Sequence, residues 1–192
     1  MNIQSTPELA PAALSRLLES RRTIHDFAPA APPREAVLAA LEHARWVPNH
    51  HRTEPWRFCL LGPAAVSRVV ELNTELVRAK NGDSAAQSKR QRWLAMPGWL
   101  VVTCRRSEDA QAEREDYAAC SCAIHNFSLY LWAVGIGTKW STGKVIRDPR
   151  FLSAIGADAV NEFTVGLVWF GYPQAIPDQA RRPLADVLRH VD

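Results

Sequence analysis

Apolar residues recur along this chain at spacings that switch between helical and strand-like several times. From Pro7 to Ser20, Leu14, Leu17 and Leu18 share one face among polar neighbours, which predicts a first helix that delivers Arg21, Arg22 and Thr23 at its end. After Pro29, Pro32 and Pro33, the spacing of Val37, Leu38 and Leu41 predicts a second helix from about Arg34 to Trp46, with Pro33 suited to its first turn. Pro48 ends it and leaves Asn49, His50 and His51 in a loop. Arg57 to Leu61 reads as a short strand stopped by Gly62-Pro63, and Ala64 to Lys80 is helical again. From Arg78 to Arg92 the chain is basic, with Lys80, Lys89, Arg90 and Arg92 and little apolar surface: either a solvated loop and helix face or a lid over a ligand.

Leu100 to Cys104 is strand-like, and Glu113 to Gly135 carries the strongest helical pattern. There Tyr117, Cys120, Ile124, Phe127 and Leu131 follow three- and four-residue steps, while Ala119, Ala123, Tyr130 and Ala133 form a second apolar set that reads as the opposite face. The expectation is a helix buried all round, one face on a sheet and the other on a second subunit. Gly135 to Gly143 reads as a turn-rich return carrying Trp140, and Phe163 to Phe170 as a last long strand ending at Gly171-Tyr172-Pro173. With no internal repeat and no shift in composition, residues 1–192 are expected to form a single α+β domain, a sandwich of helices around one sheet.

A hydrophobic fraction of 47% with 22% charged residues suits a folded globular chain and argues against a disordered or fibrous one. The net charge of +3 is too small to imply nucleic-acid binding and mildly favours an anionic ligand. The longest apolar runs, near 94–104 and 129–138, fall short of the roughly 18 residues that suggest a membrane span. Met1 to Leu14 lacks the basic start and apolar block of a signal peptide, so the cytoplasm is the expected location. Cys59 and Cys104 sit in strand-like runs, and Cys120 and Cys122 point to different helix faces, which predicts separate thiols rather than a disulfide or metal set.

Most catalytic signatures are missing. Gly143-Lys144 lacks the glycine spacing of a phosphate loop, Gly135-Ile136-Gly137 follows a helix and has no third glycine, and no nucleophile-elbow sequence occurs. His25, His43, His50, His51, His125 and His190 show no zinc-ligand spacing, and no nucleophile stands beside a base. What remains is an anion site: two guanidiniums and a hydroxyl at 21–23, suited to charge-assisted bonds with a phosphate. The alternative for two arginines at a helix end is to cap the helix dipole.

The order of motifs adds to this. Arg21-Arg22-Thr23-Ile24-His25-Asp26-Phe27 resembles the Arg-Arg-Ser-x-Arg-x-Phe opening of the nitroreductase family. Ala44-Arg45-Trp46-Val47-Pro48-Asn49-His50, running on to Pro55-Trp56-Arg57-Phe58, resembles its Ala-x-x-Ala-Pro loop followed by Pro-Trp and a strand. Ala133-Val134-Gly135-Ile136-Gly137 and Trp140-Ser141-Thr142-Gly143 resemble the end of its central helix and the turn beyond, and Gly171-Tyr172-Pro173 with Arg182-Pro183-Leu184 resembles its close.

The resemblance implies a nitroreductase-like sandwich with a central, mostly antiparallel sheet in an intertwined homodimer. Two FMN sites at its interface would draw residues from both chains, with NAD(P)H as reductant and an electron-poor acceptor. By the same resemblance Arg21 and Thr23 contact the FMN phosphate and ribityl region, Arg22 lies beside them, and Trp46 and His50 approach from the partner. Trp140, Ser141 and Thr142 complete the pocket, and the flavin, not a side chain, carries the chemistry. Two positions depart from the pattern: Ser141 stands where relatives of this size often have arginine, and Glu54 replaces the usual glutamine before Pro-Trp. The first leaves Arg181 or Arg182 as a candidate second phosphate cation, and the second is expected to face solvent. Lys89, Arg90 or Arg92 would favour NADPH over NADH. Two other readings stay open, a flavin-binding protein without turnover and a reduced-flavin enzyme that uses oxygen.

Overall fold

A computed structural model describes residues 10–191. The start expected for the first helix at residues 7–9 lies outside the described residues, and the helix there is α1 (Pro11–Ser20). Then follow α2 (Arg34–Ala44), a 3-10 turn at His50–Arg52, β1 (Trp56–Leu60) and α3 (Pro63–Leu94). After them come β2 (Trp99–Arg105), α4 (Ala110–Ala133), β3 (Gly137–Ser141), α5 (Phe151–Ile155) and β4 (Glu162–Gly171). The strands form one sheet in the order β1-β2-β4-β3, with every neighbouring pair antiparallel. This is the expected α+β arrangement. No helix among the described residues is long and apolar enough to cross a membrane.

Both faces of the sheet are covered. Leu100, Val102, Val168 and Phe170 point toward α2 and α4, while Trp99, Val101, Leu167 and Trp169 point toward α3 and α5. That is why β2, buried from Trp99 to Cys104, is an unbroken apolar run rather than an alternating one. On the α3 side Trp93, Trp99 and Trp169 meet edge to face, with ring centres 5.1 to 5.7 Å apart.

Three expectations change. The segment read as a turn-rich return contains a strand, β3, because Gly137 to Ser141 pair with Gly171 to Leu167 of β4; the pairing, not local propensity, makes it. The basic stretch at 78–92 is helical, interrupted only at Gly82 (φ 82°), with Arg78 bonded to Asp83 and Arg90 to Glu71. And within one protomer α4 buries a single stripe, made of Asp116, Ala119, Cys120, Ala123, Ile124, Phe127, Ser128 and Leu131. The two apolar sets read as opposite faces stand about 100° apart, flanks of a single broad face. Tyr117 is 41% exposed, and Ala118, Cys122, His125 and Ala133 lie on the uncovered side. Cys120 is buried and Cys122 exposed, and the thiols at 59, 104, 120 and 122 are all unpaired.

The chain after α1 docks on the free edge of β3. Ile24 N–H donates to the carbonyl of Thr138 (3.0 Å), Thr23 and Thr138 form a parallel bridge, and the Ile24 side chain is fully buried. A Cβ at Gly137 would stand 2.4 Å from Ile24 Cγ1, so only glycine lets the two backbones approach this closely. Gly137→Ala is therefore expected to lower the unfolding free energy by about 1–3 kcal/mol, the usual cost of overpacking, measured by urea denaturation. An unchanged midpoint would mean that Ile24 does not depend on that contact.

Candidate functional site

Arg21 and Arg22 leave α1 at its carboxyl end, and the structure gives them different work. The Arg22 guanidinium donates from Nη1 to the carbonyls of Glu19 (2.5 Å) and Arg21 (3.0 Å), capping the last turn of the helix. Arg21 is half-buried and has no carboxylate within salt-bridge distance among the described residues. Burial first, then the charges of Arg181 and Arg22, hold its pKa below the ordinary arginine value. Of Arg181 and Arg182, the two candidates for a second phosphate cation, Arg181 lies near enough for its charge to act on Arg21, although 160 residues separate the two in sequence. Clustered cations with no counter-charge repel one another, and an oxyanion between them would relieve that repulsion.

Two further residues frame this cluster. Trp132 Nε1 donates to Ser20 Oγ (2.9 Å), tying α4 to the end of α1. About two turns earlier on α4, His125 is kept below its ordinary pKa by burial and then by the Arg21 charge. The sequence had only a faint signal for His125, a lone basic residue in the apolar run from Cys120 to Leu131.

Thr23 is exposed beside Thr138, and Trp140, Ser141 and Thr142 continue the same strand edge. The Trp140 indole lies over Gly166 of β4, where a Cβ would come within 2.0 Å of its Nε1. The Thr142 carbonyl accepts from Arg147 Nη2 (2.9 Å), which anchors the turn after β3. The bridge between the 21–23 segment and β3 thus brings two of the three predicted groups to one edge.

The third group, Trp46 and His50, belongs to the loop after α2. Trp46 is 74% exposed. His50 shares a 2.6 Å hydrogen bond between its Nδ1 and Glu115 Oε2, and its ring stacks on His51 at 4.0 Å. Hydrogen bonds from Gln111 and His50 lower the Glu115 pKa. Glu115 precedes His125 by ten residues on α4, about 15 Å of helix, so one protomer does not join His50 to Arg21.

This loop holds an unusual backbone. His51, Arg52 and Glu54 have φ of 56°, 51° and 44°, left-handed values that side chains disfavour. Asn49 Oδ1 accepts from Glu54 N–H (2.8 Å), Asn49 Nδ2 donates to Thr53 Oγ1 (3.0 Å), and Thr53 Oγ1 donates to the buried carboxylate of Asp116. The Glu54 side chain is exposed, as expected. Among the described residues no group of three or more His, Cys, Asp or Glu could hold a metal ion.

Thr53→Val removes the donor to buried Asp116, and a loss of about 1–3 kcal/mol is expected in urea unfolding; an unaltered midpoint would mean the loop is held by something else. The folded chain binds the His125 proton less tightly than the unfolded chain. Its contribution to stability is therefore full above about pH 6.5 and lost as pH falls through the lower folded value. His125→Gln is expected to flatten that part of the stability profile, and an oxyanion on Arg21 is expected to raise the His125 pKa, read by NMR titration.

Comparison with known proteins agrees with this arrangement of elements and motifs. The model of the Nitroreductase family matches residues 18–172. A Bacillus subtilis protein, provisionally named an NAD(P)H nitroreductase, is 31% identical over 181 residues, covering 91% of this chain and 92% of that one. A nitroreductase-like family protein from Bacillus cereus superposes with a TM-score of 0.83 at 28% identity, covering 98% of this chain and 100% of that one. The FMN-dependent nitroreductase NfnB of Mycobacterium smegmatis, in complex with NADPH, shares the fold at a TM-score of 0.74 and 17% identity, covering 95% of this chain and 99% of that one. On the match over residues 18–172 and these relatives, the chain belongs to the nitroreductase family.

Proposed function

We propose that this chain is an FMN-dependent oxidoreductase that draws on NAD(P)H and reduces an electron-poor acceptor such as a nitroaromatic, a quinone or an activated alkene. The observation that carries the reading is the half-buried Arg21 guanidinium, which has no carboxylate within salt-bridge distance among the described residues and stands at the end of α1 two residues from the exposed Thr23 hydroxyl, with the Arg181 charge acting on it. Two guanidiniums and a hydroxyl suit a phosphate dianion. The family membership and the FMN and NADPH named for the Mycobacterium smegmatis relative support the same cofactor and reductant here.

Bound FMN would supply the redox chemistry between NAD(P)H and the acceptor, with a ping-pong order as the expected kinetic form. The protein contributes position and field. Arg21 and Arg181 would hold the phosphate, Arg22 fixes the end of α1 from which Arg21 projects, and Thr23 would offer its hydroxyl on the edge next to β3. Trp140, Ser141 and Thr142 line the continuation of that edge, where the Trp140 indole lies over Gly166.

A second copy of the chain completes the site in this reading. Trp46 and His50 would come from the partner, which accounts for their exposure and for the distance along α4 between His50 and Arg21. It also accounts for α1, which has no buried residue and exposes Leu14 and Leu18, and for the uncovered side of α4. The left-handed backbone at 51–54 would fix the loop that presents His50.

The purified protein is expected to be yellow, to release FMN on denaturation, and to oxidise NADH or NADPH when offered a nitro compound or quinone. Arg21→Ala should weaken FMN binding by about 1–3 kcal/mol, and Arg22→Ala by much less because that guanidinium is bonded to the helix end. A colourless protein that FMN cannot reconstitute would overturn the reading. Bound flavin that neither nicotinamide reduces would point to flavin binding without turnover.

A further inference from the structure

The side chain of His50 is 63% exposed, yet three constraints fix its ring. Its Nδ1 stands 2.6 Å from Glu115 Oε2, and its face stacks on His51 with ring centres 4.0 Å apart. The backbone beside it is left-handed at His51, Arg52 and Glu54. Asn49 holds that backbone by accepting from Glu54 N–H (2.8 Å), and Thr53 ties it to buried Asp116. Left-handed backbone and an immobilised exposed side chain both cost free energy, and a ring this exposed returns little of it through burial. The constraints therefore serve what the ring presents.

Glu115 and Asp116 are neighbours on α4 with different work. Asp116 is buried and holds the loop backbone through Thr53, whereas Glu115 is half-buried and holds the ring. Glu115 is itself fixed. Gln111 Nε2, one turn earlier, donates to Glu115 Oε1 (2.8 Å), and Asp109 caps the helix start by accepting from the N–H groups of Gln111 (2.8 Å) and Ala112 (3.4 Å). The bonds from Gln111 and His50 keep the Glu115 carboxyl below the ordinary glutamate pKa, so at neutral pH it is ionised and can only accept. Nδ1 of His50 must then carry a proton whether the ring is neutral or charged. Nε2 has no hydrogen-bond partner among the described residues and is the one ring nitrogen whose proton can come and go.

We propose that Glu115 is a positioning residue, which holds His50 with its proton on Nδ1 and so presents Nε2 as the nitrogen that bonds the cofactor across the subunit interface. The proposal rests on the reading above that His50 reaches the flavin of a second copy. A neutral Nε2 accepts from an N–H or O–H and a protonated one donates to an oxygen, so a single fixed atom serves either kind of partner. Without Glu115 the proton is free to take either nitrogen, and the stack on His51 alone orients the ring.

Nitrogen-15 spectra of the histidine rings test this on the protein as purified, with the His50 signals assigned by their loss in His50→Gln. Once alkaline buffer has neutralised the ring, His50 is expected to carry its proton on Nδ1 and leave Nε2 bare. In Glu115→Ala the proton should move toward Nε2, and Glu115→Gln, which keeps an acceptor oxygen, should restore the wild-type form. Removing and restoring FMN should shift the Nε2 resonance. Glu115→Ala should also weaken FMN binding roughly fivefold, and combined with His50→Ala it should bind no more weakly than His50→Ala alone. Thermal melting checks that each variant keeps the fold. A wild-type ring with its proton on Nε2, a tautomer unchanged in Glu115→Ala, an Nε2 signal indifferent to FMN, or binding losses that simply add would each overturn the proposal. The tautomer is read with or without flavin, so a chain that binds no FMN would fail the proposed function while the Glu115–His50 pair is still judged on its own signal.

Discussion

The seating of Ile24 against Gly137 is the contact on which the functional edge of this protein depends. A fully buried isoleucine and a backbone bond from its N–H to the Thr138 carbonyl lock the segment 21–25 to the free edge of β3. Because successive residues of an extended segment point to opposite sides, a chain pinned at Ile24 presents its neighbours predictably. Arg21, Thr23 and His25 alternate with Arg22 and the buried Ile24 along it. The absence of a Cβ at Gly137 therefore sets how the whole 21–25 segment is held.

Electrostatics then separates what proximity in sequence would merge. Arg22, adjacent to Arg21, is spent on the carbonyls at the end of α1, whereas Arg181, far away in sequence, shares the field of Arg21. Lys139 from β3 and Lys89 and Arg92 from α3 likewise converge on His25, beside the packed tryptophans. A cation over an indole face keeps part of its stabilisation after losing water, which lets lysines sit this close together. The aromatic cluster thus serves the core and the surface above it together.

Helix α4 links these parts. Its buried stripe spans the sheet from Asp116 to Leu131, holding the strained loop through Thr53 and Asp116 near one end and the carboxyl end of α1 through Trp132 near the other. His50 and Arg21 sit at different heights on that one rigid rod, and the length between them is what a second copy of the chain would have to span.

The amphipathic spacings of α1, α2 and α3, the unbroken apolar run of β2 and the caps and breaks at Pro33, Gly62-Pro63 and Gly171-Tyr172-Pro173 were all readable locally, since each follows from periodicity or from backbone chemistry. Arg21 and Thr23 were likewise readable as a pair suited to an anion, from side-chain chemistry alone. The strand at Gly137–Ser141 was not, because its glycines and polar residues become a strand only when β4 lies beside them. Nor was the single buried face of α4, since two apolar sets about 100° apart read alike until a sheet covers the pair. The division of labour between Arg21 and Arg22, and the meeting of Arg21 with Arg181 and of His25 with Lys139, were decided by tertiary structure alone. Periodicity and turn chemistry act between residues a few positions apart, whereas a charge acts on whatever the fold brings within reach.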